Sequence, residues 1–113
     1  LNQKIMATRK TKIRTIDIQG KGYRDRACGT TYMSGIITVN FCMEGERTYY
    51  LHFEQGCNES YLEQRTLAKL IEVGEIKEQY YSLWEFCDKK KVIKRTSLQT
   101  GKSKKETIEY GQK

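Results

Sequence analysis

The sequence predicts an α+β fold in which an antiparallel sheet of three or four strands is packed on one face by two helices. Two observations carry this prediction. Strand-like patterns, either β-branched or alternating between apolar and polar residues, fill 11–19, 32–43 and 47–54. Apolar residues at helical spacing then follow over 60–73 and 77–90. Because the strands precede the helices instead of alternating with them, the order is typical of an α+β domain.

The first predicted strand covers 11–19, which is rich in isoleucine and threonine, the β-branched residues that favour extended backbone. Gly20 and Gly22 come directly after it. Glycine next to a strand pattern indicates a break, and the following residues are polar, basic and without periodicity. We therefore expect a loop over 20–29.

Residues 32–43 and 47–54 are predicted to pair as a β-hairpin. Both segments alternate with a period of two and have one apolar face, which indicates half-buried strands. Glu44-Gly45-Glu46 separates them, and a three-residue connection that contains glycine suits a tight turn.

The first helix is predicted to begin at Ser60. Ser60 and Glu63 have the spacing of a capping box, in which the serine hydroxyl accepts from the backbone at Glu63 and the carboxylate reaches back. Gly74, directly after Val73, is well placed for a left-handed cap at the end of this helix.

The second helix is predicted over 77–90, where Leu83, Trp84 and Cys87 recur at helical spacing. We expect Trp84 in the core. Residues 92–99 alternate only weakly and are polar, so a fourth strand there would lie at an edge of the sheet or outside it.

Two pairs of adjacent tyrosines, Tyr49-Tyr50 and Tyr80-Tyr81, lie within these elements. In each pair, one ring should face the apolar side and the other should lie outside. Exposed tyrosines are common in interfaces, so the outward ring of each pair is a candidate contact.

The length of 113 residues is that of one domain. We expect this domain over 11–99, with a flexible basic arm at 1–10 and a flexible basic tail at 100–113, because both ends approach the composition of disordered chains. No apolar run reaches the roughly 18 residues that a membrane-spanning helix needs, so no membrane partner is predicted.

Charge is sorted along the chain. Residues 1–26 hold eight Lys/Arg and two acids, 27–88 hold four and ten, and 89–113 hold nine and two. The three net charges are therefore +6, −6 and +7, which gives the overall +7.

Basic ends on an acidic body are typical of a domain that presents its termini to a polyanion, because neutralising phosphates releases condensed counterions. The sequence therefore predicts that DNA or RNA binds to two basic sets, which merge if the first strand lies beside the last segment. The first set is Arg9, Lys10, Lys12, Arg14, Lys21, Arg24 and Arg26, and the second set is Lys89, Lys90, Lys91, Lys94 and Arg95.

No catalytic motif is predicted. Gly101-Lys102-Ser103 resembles the end of a phosphate-binding loop, but Thr96 stands where that motif needs glycine. His52 is the only histidine, and Glu54 on the same strand face forms with it a pattern typical of a surface pair. The four cysteines contain no C-x₂-C pair. We therefore expect reduced, mostly buried thiols, no metal, no cofactor and no enzymatic activity.

The run 29–39, with Phe53-Glu54-Gln55-Gly56 and the helix from Ser60, resembles small uncharacterised phage-encoded proteins. Those proteins carry a G-N-T-Y-H-S-type strand, a second strand that ends in an F-x-x-G turn, and a helix. The similarity covers roughly residues 10–88. The resemblance implies a small accessory protein in the cytoplasm of an infected bacterial cell, with no chemistry assigned to it.

Two other functions stay open. A protein-protein inhibitor of a host defence complex would use the acidic centre of the chain, in imitation of nucleic acid. A secreted factor would use the four cysteines as two disulfides, and Asn58-Glu59-Ser60 matches the glycosylation pattern N-x-S. A homo-oligomer is compatible with each of these functions.

Overall fold

The computed structural model describes residues 12–25 and 29–99. The predicted arm at 1–10 and tail at 100–113 lie outside the described residues. Within the described part, the elements in chain order are β1 (Ile13–Asp25), β2 (Gly29–Phe41), β3 (Gly45–Cys57), α1 (Glu59–Glu72), α2 (Leu83–Lys90) and β4 (Ile93–Thr96).

The four strands form one sheet in the order β3-β2-β1-β4. β2 is antiparallel to both β1 and β3, whereas β4 is parallel to β1, so the sheet is mixed and mostly antiparallel. The predicted α+β class is confirmed. The weak fourth strand is an edge strand, as its polarity indicated, and it is shorter than the alternation suggested.

The core lies between one face of the sheet and the two helices. Strand alternation sends every second side chain of β1 and β2 into this core, while their neighbours point to the opposite face, which no described helix covers. Burying one side chain of this size stabilises the fold by about 1.5–3 kcal/mol. The largest fully buried apolar side chains are Ile16, Ile18, Ile37, Val39, Leu62, Leu70 and Leu83.

β1 continues through the two glycines that were expected to end it. A methyl group at Gly20 would lie 2.5 Å from the Tyr32 ring, and one at Gly22 would lie 1.9 Å from the Thr31 carbonyl oxygen. Both glycines therefore allow β1 to approach β2 closely, which a side chain would prevent. The expectation of a loop over 20–29 is wrong wherever the structure describes that range.

The predicted hairpin is confirmed between β2 and β3. Its connection is Cys42-Met43-Glu44, so the expected connection Glu44-Gly45-Glu46 is wrong: Gly45 and Glu46 are paired strand residues. Phe41 pairs with Gly45, whose φ of +85° is left-handed. A three-residue loop followed by a left-handed glycine is a common hairpin geometry. Met43, which the alternation placed on the apolar face, is exposed because it lies in the turn.

α1 begins one residue before Ser60, and the predicted capping box is wrong. Asn58 is the N-cap, because its side-chain oxygen accepts a hydrogen bond from the Tyr61 backbone N–H at 2.8 Å. Asparagine is at least as good a cap as serine, and it stands earlier in the chain. The left-handed Gly74 is confirmed, with φ of +87°.

α2 is shorter than the predicted 77–90. Ser82 caps the helix by accepting from the Glu85 backbone N–H at 3.1 Å, and the Glu85 carboxylate accepts from the Tyr81 backbone N–H. Ser82 and Glu85 thus have the capping-box spacing that sequence reasoning assigned to α1 alone.

Trp84 is 59% exposed, so its expected place in the core is wrong. A helix of eight residues presents one narrow stripe to the sheet, and Trp84 lies beside that stripe. The buried residues of α2 are Leu83, Phe86 and Cys87.

Candidate nucleic-acid interface

The parallel pairing of β1 with β4 joins the two ends of the folded domain. Thr15 is in register with Ile93, and Asp17 is in register with Arg95. The pairing continues beyond β4, since Ser97 N–H donates to the Ile18 carbonyl at 2.9 Å. This is the arrangement in which the two predicted basic sets come side by side.

The cations of the two sets meet at the start of β1. Lys12 and Lys90 line the same cavity of about 350 Å³. Arg14 and Lys91 are also exposed there, and Lys91 ends α2 in a left-handed conformation (φ 59°) that turns the chain towards β4.

The far end of β1 carries Lys21 and Arg24, both of which are exposed. At about 3.3 Å per strand residue, Lys21 lies about 30 Å from Lys12 along β1. Arg95 is exposed on β4 between these two groups. Cations therefore occur at both ends and near the middle of one edge of the sheet.

Two lysines of the second set are paired with acids of the helical face. Lys89 Nζ lies 3.8 Å from a Glu85 oxygen, and Lys90 Nζ lies 3.4 Å from a Glu78 oxygen. A hydrogen bond from Tyr80, together with the Lys90 ammonium, lowers the pKa of Glu78 and keeps this carboxylate ionised. Much of the charge of Lys89 and Lys90 is thus balanced locally.

Lys94 does not reach the sheet edge surface. Its side chain is 3% exposed, because it points towards the helices, where Nζ lies 3.1 Å from Glu63 Oε1 and 3.3 Å from the centroid of the Trp84 ring. The structure therefore separates Lys94 from the other residues of its set.

Arg9, Lys10 and Arg26 lie outside the described residues. Six exposed cations remain, and among the residues that the structure describes none of them forms an ion pair. We call these six the basic edge: Lys12, Arg14, Lys21, Arg24, Lys91 and Arg95.

The uncovered face of the sheet, called here the open face, adjoins the basic edge. The register places Gln19, Ile36 and Tyr50 in one row across three strands. The next row holds Lys21, Ser34 and His52. These rows form a mostly polar surface with cations on its β1 and β4 side.

Tyr50 supplies the largest exposed ring of the open face, at 67% exposure, whereas Tyr49 is half-buried. The hydroxyl of Tyr49 donates to Glu75, which also accepts from Arg47 at 2.7 Å. The predicted division of this tyrosine pair into an inward and an outward ring is confirmed.

Three acids interrupt the open face. Asp17 lies between Arg95 of β4 and Thr38 of β2, and its Oδ1 atom is buried without a hydrogen-bond partner among the described residues. On β3, Glu46 and Glu54 are exposed on the same side as Tyr50. The sequence predicted the cations of β1 and β4 as two sets, but it did not show which of them share this face, because the position of β4 is not visible in the sequence.

Two of the described thiols are buried and held in the protonated form. Burial raises the pKa of Cys87 to about 11 and raises the pKa of Cys57, so both thiols are protonated at neutral pH. Cys42, Cys57 and Cys87 are free, and Cys28 lies outside the described residues. Over 12–25 and 29–99, no group of three or more His, Cys, Asp or Glu side chains could hold a metal ion.

No helix in the described part of the chain is long and apolar enough to cross a membrane. No family model, curated protein or solved structure matches this chain.

Proposed function

We propose that this protein binds single-stranded nucleic acid without catalysis, through the basic edge and the adjoining open face. The observation that carries the proposal is the parallel pairing of β1 with β4, which sets Arg95 beside the strand that holds Arg14 and Lys21. The resemblance of 29–39 to phage-encoded proteins adds the proposal that the protein is an accessory factor in an infected bacterial cell.

The basic edge forms no ion pair with any described acid, which supports a polyanion as its partner. Each cation that contacts a phosphate releases a condensed counterion, and the gain in entropy drives binding. Lys89 and Lys90 contribute less, because they would first have to leave Glu85 and Glu78.

The exposed ring of the open face supports a single strand over a duplex. A sheet face with an exposed ring such as Tyr50 can stack unpaired bases, whereas bases in a duplex are already stacked. Gln19, Ser34 and Thr38 supply hydrogen-bonding groups beside the ring.

The test is a titration of a labelled single-stranded oligonucleotide, followed by fluorescence anisotropy at several salt concentrations. Six phosphate contacts predict a slope of about −4 for the logarithm of the binding constant against the logarithm of salt concentration. A duplex of the same length should bind more weakly. Absence of binding at low ionic strength would remove the proposal.

A matched pair of variants locates the surface. The double variant Lys21→Ala/Arg95→Ala should reduce the magnitude of the salt slope by about 1.4, since two phosphate contacts are lost. Arg65→Ala/Lys69→Ala removes the same charge from α1 and should leave the slope unchanged. Equal effects of the two double variants would show that only net charge matters.

The alternative function, inhibition of a host protein complex, would use the acidic central region of the chain, residues 27–88. It predicts a stoichiometric protein partner that survives nuclease treatment. The Lys21→Ala/Arg95→Ala variant should retain such a partner, so the same variant separates the two functions.

A further inference from the structure

A groove separates the beginnings of the two helices, on the side of the molecule away from the open face. It has a volume of about 640 Å³ and lies between the first turns of α1 and the segment 81–84 that leads into α2. We call it the aromatic groove. Its lining residues are Glu59, Ser60, Glu63, Gln64, Tyr81, Ser82, Leu83 and Trp84.

Two large rings in the aromatic groove are left without cover. Tyr81 is 93% exposed and Trp84 is 59% exposed. The partner residue of the tyrosine pair, Tyr80, is buried and packs edge-to-face against Phe86 with ring centroids 5.1 Å apart. The inward ring thus explains the position of this segment, and the outward ring has no role in the described fold.

Acids dominate the charge of the aromatic groove. Glu63 is paired with the buried Lys94, while Glu59 makes no ion pair with a described residue. The two helix N-termini would favour an anion, but Asn58 and Ser82 already cap them. The first-turn carboxylates Glu59 and Glu85 also offset the positive ends of the two helix dipoles. A cation is therefore the better match to this groove.

The Trp84 ring already holds one cation. The Lys94 ammonium lies 3.3 Å from the ring centroid and is almost fully buried against Glu63. This contact fixes the ring, and it leaves more than half of the surface of Trp84 open to solvent. A ring held in place loses little conformational entropy when a ligand binds to it.

We propose that the aromatic groove binds a lysine- or arginine-rich segment of a partner polypeptide. The aliphatic stem of such a side chain would lie on Trp84 or Tyr81, and its charged end would face Glu59. A second copy of this chain is the less favoured occupant, because contact between one copy's basic edge and another's groove would be head-to-tail, whereas most homo-oligomers pair identical surfaces across a two-fold axis. The groove lies among the helices, whereas the open face of the proposed nucleic-acid surface is the other side of the sheet.

Trp84 is the only tryptophan of the chain, so the intrinsic fluorescence of the full-length protein reports on this groove directly. The probe is a short Lys-Gly repeat peptide, with a Glu-Gly repeat peptide of equal length as the control. We expect a saturable change of Trp84 emission with the basic peptide, weaker at higher salt, and no change with the acidic peptide. No change with either peptide would overturn the proposal.

Variants locate the contact. Glu59→Gln should weaken binding of the basic peptide about two- to fivefold, as expected for a partly exposed charge pair. Tyr81→Ala should weaken binding of the basic peptide about fivefold, because it removes one of the two exposed rings. The substitution keeps the hydrogen bond from the Tyr81 backbone N–H to Glu85, so the start of α2 is retained. Glu72→Gln removes an equal charge from the exposed far end of α1 and should leave binding unchanged.

Two results would count against a partner polypeptide. If Glu72→Gln weakened the peptide as much as Glu59→Gln, the attraction would be nonspecific. If Trp84 emission changed with protein concentration in the absence of peptide, the occupant would be a second copy of the chain.

Discussion

Lys94 and Arg95 are neighbours on β4, yet they belong to opposite faces of the molecule. Lys94 lies beneath the helices between Glu63 and Trp84, almost without exposure. Arg95 is exposed on the open face, in register with Asp17. The positive charge of Lys94 joins the helices to the sheet, whereas the positive charge of Arg95 belongs to the basic edge.

This comparison extends to the described members of the two predicted basic sets. On the helical side, Lys89, Lys90 and Lys94 each lie within 4 Å of an acid. On the basic edge, six cations have no such pairing within the described chain. Within these two sets, local pairing therefore separates a structural cation from a candidate binding one.

The strongest test of this difference replaces each of the two neighbours. Lys94→Ala should lower the free energy of unfolding by about 3 kcal/mol, because it removes a buried ion pair and a cation-π contact together. Arg95→Ala should change it by about 0.5 kcal/mol or less, as is usual for an exposed side chain. Urea denaturation measures both, and equal losses would contradict the division between the faces.

A second variant breaks the strand that carries the basic edge. Gly22→Ala should lower the free energy of unfolding by about 2–3 kcal/mol, since the added methyl group meets the Thr31 carbonyl oxygen, which cannot move alone. Gly35→Ala is the control, because its methyl group would meet the tip of the flexible Leu62 side chain at 3.0 Å. A larger loss from the control would show that the approach of β1 to β2 is not what requires glycine.

The two outward tyrosines distinguish the two proposed ligands. Tyr50→Ala should weaken the binding of single-stranded nucleic acid by about 1–2 kcal/mol through the loss of base stacking. It should leave the binding of the basic peptide unchanged. Tyr81→Ala should leave nucleic-acid binding unchanged. Anisotropy titrations on both variants give the answer, and if both rings affected both ligands, the two surfaces would not be independent.

The smallest expected effect concerns the pH dependence of the Glu78 contacts. The pKa of Glu78 is lowered in the folded state by Tyr80 and Lys90, so its stabilising contribution is present above its unfolded pKa. That contribution is lost as the pH falls through the lower folded pKa. The melting temperature of the wild type should therefore exceed that of Glu78→Gln by a constant amount above about pH 5, and this difference should vanish at more acidic pH. A difference that persisted unchanged in acid would contradict the role of ionised Glu78.

Much of the local structure followed from the sequence. Alternation located β2 and β3 and their hairpin, helical spacing located α1, and one ring of each tyrosine pair was correctly placed inward. The errors lay at positions where two signals competed. Ser60 and Asn58 are both good caps, and glycine in a strand pattern marks either a break or a close approach of two strands. Trp84 lies beside the buried stripe of a helix that is only eight residues long.

The sequence by itself determined the α+β class, the order of the elements and the sorting of charge along the chain, because these depend on residues close together in sequence. Only the tertiary structure decided that β4 lies parallel to β1, that Lys94 points inward and Arg95 outward, and that Tyr81 and Trp84 share a groove with Glu59. The physical reason is that a short polar strand such as β4 has little preference of its own. Its register, and the side of the sheet to which each of its side chains points, are set by the backbone hydrogen bonds with β1 and by the burial of Lys94 between Glu63 and Trp84.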